Sequence, residues 1–465
     1  MSGLKRRLSL AEAIGLSLSI VAPTLTAAFN ISLVVGKAGS AAPFTFAIGT
    51  VLVALVAIAF VSFARRGSHA GSAYAYIAEV FGRRAGFLAG WTLLLTYLCF
   101  AAAMSVLVGD FLASALADFG VKTGPLWVGI ALLSLALSTL FAYRDVRLAG
   151  RLMLILELTS LLAIVVLCIV ILERTPGLPT AAMRPSAQAG GWSGVAYALV
   201  FVVLSFAGFE GAATLGEETT HPRRDVPVAM LGALVGAGVF FTFASYCEVQ
   251  GYGLAGIGAL AKATAPLNDL ANRYTNRTFA AALDVAAAFS SFSGALGALT
   301  ASGRLLFALG RAGLAAPLAR THPTHGAPGV AVLLSGALAA IALLIWAPSS
   351  GASVFYANVS TVAVLAVILV YLGVIAAQCR LDLGARRWLW PTFTLVGAAI
   401  LLWCLGNTVL PVPAWPDYLW PYIVLAWLLL GLGLLMARPA LAREAELEPE
   451  AVEPAVKAGV ISSEA

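Results

Sequence analysis

Charged side chains are sparse along this chain and fall in clusters, which leaves long apolar runs between them. Residues 13–36, 38–64, 85–109 and 123–143 carry no Asp, Glu, Lys or Arg. Residues 152–172 are interrupted only by Glu157, and residues 185–216 only by Glu210. Residues 226–247 and 285–303 are again charge-free. The run 326–379 is too long for one helix and divides at Pro348-Ser349-Ser350-Gly351; residues 388–416 and 418–437 complete the series. About 20 apolar residues cross a bilayer as a helix. The pattern therefore predicts an all-α polytopic membrane protein with twelve transmembrane helices.

Composition agrees. Of 465 residues, 61% are hydrophobic and 11% charged, whereas soluble domains carry about 25% charged residues. The apolar runs follow one another without a polar domain between them, so a single transmembrane domain over residues 10–437 is expected. It is flanked by a short N-terminus (1–9) and a disordered tail (438–465) rich in Glu444, Glu446, Glu448 and Glu450. The start, Lys5-Arg6-Arg7, is basic like a signal peptide. The uncharged run behind it exceeds the usual core of about 7–15 residues, so a retained first helix is expected. The net charge of +6 sits at segment ends, where it sets orientation and does not suggest nucleic acid. Seven of the 28 basic residues (Lys37, Lys122, Arg174, Arg184, Lys262, Arg273, Arg277) fall on one side, and the other 21 on the side of both termini. This asymmetry predicts cytoplasmic termini in the cytoplasmic membrane.

The sequence excludes several kinds of chemistry. The five cysteines (Cys99, Cys168, Cys247, Cys379, Cys404) lie within or beside apolar runs, and no pair has metal-ligand spacing. His322-Pro323-Thr324-His325 has no carboxylate or cysteine nearby, so no metal and no cofactor are expected. No serine–base pair or buried histidine suggests an enzyme. No phosphate loop ending Gly-Lys-Ser/Thr suggests a primary pump.

Two weak points stand out. The first span contains Val21-Ala22-Pro23-Thr24-Leu25-Thr26, where proline removes a backbone donor and clashes with the preceding turn. The sixth contains Gly208-Phe209-Glu210-Gly211, and Glu210 is the only charge between Arg184 and Glu217. Spans one to five (about 10–175) and six to ten (about 190–380) start on opposite sides, as inverted repeats require. Interrupted helices at matching places in two such halves mark a solute site near the bilayer midplane.

Several stretches together resemble the amino acid–polyamine–organocation superfamily of secondary transporters. These are Ser205-Phe206-Ala207-Gly208-Phe209-Glu210 with Glu217-Glu218 and Pro222-Arg223-Arg224-Asp225-Val226-Pro227; Ala70-Gly71-Ser72-Ala73-Tyr74 with Gly86-Phe87-Leu88-Ala89-Gly90-Trp91; and Ser302-Gly303-Arg304-Leu305-Leu306-Phe307 through Arg311. The resemblance implies a leucine-transporter-type fold, a 5+5 inverted repeat followed by two C-terminal helices (about 388–437), and uptake or exchange of amino acids or related amines. One departure is visible. Where many members have a glycine-rich break whose N–H groups hold a carboxylate, this chain has Pro23, which leaves room for an amine without a carboxylate.

The resulting expectation is a secondary active transporter of amino acids or amines, coupled to protons rather than sodium. Exchange, sodium symport and polyamine import remain as alternatives, and the oligomeric state is open. Candidate substrate-site residues are Ser19, Ala22, Pro23, Thr24, Thr96, Tyr97, Phe206, Ala207, Gly208, Phe209 and Glu210. Glu210, facing the cavity, would meet an ammonium or carry a proton, since desolvation disfavours a charged carboxyl. Ser160 falls near the place where some relatives carry a coupling lysine, and Ser290, Ser291 and Ser293 offer hydroxyls for a cation. Glu157 is expected in an interfacial ion pair with Arg144, Arg147 or Arg151. Glu217, Glu218, Arg223 and Arg224 are expected to form an inner gate or charge network. The connection 251–278 is either a short helix over the outer mouth or a plain linker.

Overall fold

The computed structural model describes residues 8–67, 72–121, 123–144, 146–177, 179–188, 190–322, 326–385, 389–410, 412, 415–438 and 441. Lys5-Arg6-Arg7, Ala70-Gly71, Lys122, Pro323-Thr324-His325, Arg386, Arg387 and nearly all of the acidic tail lie outside them. Among the described residues the only β pairing is an isolated bridge between Leu8 and Thr219.

Helix α1 (Leu10–Val21) starts at Ser9, whose N–H donates to Glu12 Oε2 at 2.9 Å. This Ser-x-x-Glu pattern satisfies otherwise orphaned N-terminal donors. The helix stops where Pro23 disfavours helical geometry in the residue before it, and Ala22 turns left-handed at φ 46°. A short turn (Pro23–Leu25) and a wide turn (Thr26–Asn30) lead into α2 (Ile31–Ala38). Then follow α3 (Ala42–Arg66), α4 (Ala73–Phe81), α5 (Arg83–Ala117), α6 (Leu126–Arg144), α7 (Val146–Arg174) and α8 (Gly191–Phe206). A tight turn (Phe209–Leu215) separates α8 from α9 (Pro222–Tyr252). The rest comprises α10 (Pro266–Tyr274), α11 (Arg277–Arg311), α12 (Gly329–Ser350), α13 (Ala352–Gly384), α14 (Leu389–Val409) and α15 (Trp420–Ala437).

Among the described residues, eleven helical stretches are long and apolar enough to cross a membrane. The first, Leu10–Arg66, has 57 residues. At about 1.5 Å per residue it is far longer than one crossing, and it breaks again at Gly39 (φ 57°). It takes in both predicted runs 13–36 and 38–64, and each of the other ten overlaps one predicted run. The long uncharged stretch 326–379 divides at Gly351 (φ 81°), beside the Pro-Ser-Ser-Gly signal. The connection 251–278 is helical in part, through α10.

The helices form a core and a periphery. The apolar windows of α5 and of Gly191–Leu215 are 94% and 78% buried, while that of Asp417–Ala437 is 17% buried. An exposed Leu402, Trp403 or Met436 suits lipid, which is as apolar as a protein interior. Helix α15 is fastened to α5 by two stacked indoles, Trp91 and Trp427, 4.5 Å apart. Each donates its N–H to the other's carbonyl, at 2.8 and 2.7 Å. In the core, α11 approaches α1 through small residues. A Cβ at Gly294 would lie 3.0 Å from the Ser19 carbonyl, and one at Gly297 would lie 2.9 Å from Ile20 Cγ1.

Gly297→Val overfills this crossing, which costs about 1–3 kcal/mol in packed cores. The thermal midpoint of the purified protein in detergent is expected to fall. Gly258→Ala, where an added Cβ meets nothing within 4 Å, serves as the neutral control.

Candidate substrate and coupling site

The two interruptions meet. After α8 ends at Phe206, Ala207 is extended in ψ (129°) and Gly208 adopts φ 104°, which favours glycine. The packing also requires glycine, because a side chain there would collide with Ile20 of α1. Ser17 stitches the segments together: its hydroxyl donates to Phe209 O at 2.7 Å and accepts from Ala212 N at 3.0 Å. Ser17 was not among the expected site residues, since an isolated serine on an apolar helix carries no signal of its partner.

Glu210 is fully buried beside the break. Its carboxylate accepts from the Tyr97 hydroxyl at 3.0 Å, the Tyr371 hydroxyl at 2.5 Å and the Gly208 N–H at 3.1 Å. All three donors are neutral. Tyr97 was expected near the site, whereas Tyr371 lies 161 residues away on α13 and only the fold brings it in. Phe209 packs with Phe60 and Tyr371 at 5.5 Å each, and Phe206 packs on Phe241 at 5.1 Å. The Thr96 hydroxyl is engaged by Ala363 O at 3.1 Å, and that of Ser19 by Leu16 O at 2.8 Å.

Glu157 overturns its expected role. It does not form an interfacial ion pair: Arg151 bonds Glu12 at 3.2 Å instead. Glu157 is fully buried, accepts from Thr24 N and Thr24 Oγ1 at 3.3 Å each, and accepts from Ser290 Oγ at 2.7 Å. Six helical residues turn its side chain well away from Arg151, toward the first break. Ser160 and Ser293 bond backbone carbonyls across the α7–α11 contact, Ala286 O at 2.6 Å and Met153 O at 3.1 Å. The buried Ser291 hydroxyl has no hydrogen-bond partner.

A very small cavity, about 10 Å³ and so with room for about one water, borders the first break. Ile20, Ala22, Thr26, Asn30, Ala207 and Tyr356 are among its walls. Asn30 Oδ1, also buried, has no hydrogen-bond partner. Glu210 is not in the lining, contrary to expectation, because the tight turn after Gly208 aims it at the tyrosines of α5 and α13. Among the described residues no cluster suited to a metal ion occurs.

The amino acid permease family pattern matches residues 8–432, most of the chain. This chain belongs to the amino acid permease family. It is 28% identical over 295 residues to the branched-chain amino acid permease BcaP of Lactococcus lactis, a match spanning 60% of this chain and 62%, under two thirds, of that one. It is 28% identical over 354 residues to the low-affinity putrescine importer PlaP of Escherichia coli (73% and 75% of the two chains). It is 25% identical over 398 residues to a methylthioribose transporter of Bacillus subtilis (82% and 83%). By family the protein is a permease and not an enzyme.

Beyond the second break the permease carries a charge network whose cations differ from those expected. Glu218 pairs with Arg304 at 2.6 and 3.3 Å, and both are buried. Glu217 pairs with Arg311. Arg223 and Arg224 are exposed, because the turn before α9 points them outward while the end of α11 runs beneath the two acids. Leu8 also binds this corner, donating to Glu218 O and accepting from Thr220 N, each at 2.9 Å.

Removing one partner of a buried ion pair strands the other, at about 3–5 kcal/mol. Arg304→Met should therefore lower the thermal midpoint sharply, and adding Glu218→Gln should restore much of the loss. Equal destabilisation of the single and double variants would contradict the pairing.

Proposed function

We propose that this permease is a secondary active transporter of small amine-bearing solutes, amino acids or related amines, in symport with protons. We place it in the cytoplasmic membrane with both termini inside, as the basic-residue asymmetry supports. The observation that carries the reading is Glu210. It is a fully buried carboxylate where two interrupted helices meet, and its bonds come from neutral donors alone. Such a group inside a bilayer costs at least a few kcal/mol unless a cation joins it. A substrate ammonium, admitted when the segments around Gly208 rearrange, is that cation. Breaks in the first and sixth predicted spans support an inverted pair of five-helix halves with twelve crossings.

The first break favours a solute without a carboxylate. Pro23 has no N–H, Ala22 N donates to Leu18 O at 3.0 Å, and Thr24 N donates to Glu157. Little is left there to hold an anion. Among the relatives, the putrescine importer is named for a substrate of this kind.

Proteoliposomes with labelled putrescine, leucine and isoleucine, under imposed pH or sodium gradients, test the reading. Saturable uptake driven by an inward proton gradient is expected, with putrescine preferred. Glu210→Gln should lower kcat/KM for uptake by about tenfold or more, the loss of about 1.4 kcal/mol of interaction. Uptake unchanged in that variant would refute the role of Glu210.

A further inference from the structure

We propose that a groove on the lipid-facing side of α3 and α9 binds an acidic phospholipid of the leaflet opposite Leu8. The groove holds about 290 Å³, at the small end of ligand-sized pockets of roughly 300–1,000 Å³. Phe44 and Ala47 of α3 and Thr242 of α9 form its wall, and Met183, Arg184 and Pro185 form its rim. It shares no lining residue with the cavity at the first break.

The wall suits an acyl chain. Thr242 spends its hydroxyl on Gly238 O of its own helix, at 2.8 Å, and the α3 side chains of the wall are apolar. Toward the membrane centre, the exposed Val51 follows Ala47 one turn along α3, and the exposed Val239 and Val235 precede Thr242 on the same face of α9. Trp192, 63% exposed, meets the Phe44 ring edge-on at 5.8 Å. Exposed tryptophans settle at the headgroup level of a membrane, which puts the rim among headgroups and the wall among the chains below them.

The rim suits a phosphate. Arg184 is exposed, and its guanidinium makes no hydrogen bond or ion pair among the described residues. A guanidinium holds phosphate oxygens through two parallel N–H bonds. The segments around the groove, 37–64, 179–209 and 226–247, contain two cations, Lys37 and Arg184, and no Asp or Glu. Lys37 stands on the same corner, since its carbonyl lies against Gly194 at the start of α8. This excess of positive charge favours an acidic headgroup over a zwitterionic one, whose ammonium it repels.

The rim is also held in place before any lipid arrives. Ser40, buried between α2 and α3, donates its hydroxyl to Ala182 O at 2.6 Å and its N–H to Gln188 Oε1 at 3.1 Å. Gln188 Nε2 donates in turn to Ala182 O at 2.7 Å. Both ends of the segment that carries Arg184 are thereby tied to the corner from which α3 starts.

The test places the full chain in phosphatidylcholine nanodiscs doped with phosphatidylglycerol or phosphatidylcholine bearing a diazirine on one acyl chain. After illumination, labelled peptides are mapped by mass spectrometry. The phosphatidylglycerol probe is expected to label residues 43–51 and 235–242 about threefold more than the phosphatidylcholine probe, the scale of one exposed ion pair. Arg184→Gln should bring the two probes level, while Arg223→Gln, at the opposite membrane face, leaves the preference intact. Ala47→Trp, which fills the groove from an exposed position, should remove labelling by both. Equal labelling by the two probes in wild type overturns the proposal, and so does an Arg184→Gln variant that keeps the preference at an unchanged thermal midpoint. If Ala47→Trp alters the oligomeric state and leaves lipid labelling intact, a second copy covers the groove, and the proposal fails as well.

Discussion

A backbone that crosses lipid must satisfy its own polar groups, because the bilayer core offers no water to do so. Unbroken helices meet this condition automatically. The first and sixth predicted spans do not, since Ala22-Pro23 and Ala207-Gly208 interrupt them well inside the protein. The polar side chains around the interruptions answer the groups so released. Thr24 N donates to Glu157, Gly208 N to Glu210, and Ala212 N to Ser17. Each interruption is thus capped by a buried acid contributed by the turn itself or by a neighbouring helix.

These two acids differ in kind from another buried one. Glu218 is matched by the guanidinium of Arg304, a paired charge that welds α11 to the segment after the second break. Glu210 and Glu157 have hydroxyl and amide donors only. An ion pair fixes geometry, and removing either half is severe. A carboxylate with neutral donors keeps most of its bonds whether charged or protonated, because hydroxyls can reverse. The former suits a fixed corner and the latter a site whose charge changes during a cycle.

Close helix approach lets such short polar links exist at all. Gly294 and Gly297 bring α11 against α1, and Gly208 receives Ile20. With larger residues the backbones would stand farther apart, and Ser290 and Thr24 could not share one carboxylate. At the rim, by contrast, α14 and α15 present bulky apolar side chains outward, and the tryptophan pair on α5 and α15 supplies the main polar link.

Uncharged apolar runs and charge placement alone were enough to set the helical membrane architecture and the two interruptions, because bilayer thickness and proline or glycine stereochemistry act locally. Glu210 was legible as an isolated acid in an apolar run. Its partner Tyr371, the turn of Glu157 toward Thr24, and the choice of Arg304 and Arg311 over Arg223 and Arg224 were not. Those depend on helix rotation and on which distant segments pack together. A run of lipid-compatible residues encodes helix phase weakly, since apolar side chains are equally at ease against lipid and against protein. Only the assembled bundle decides which polar atom meets which.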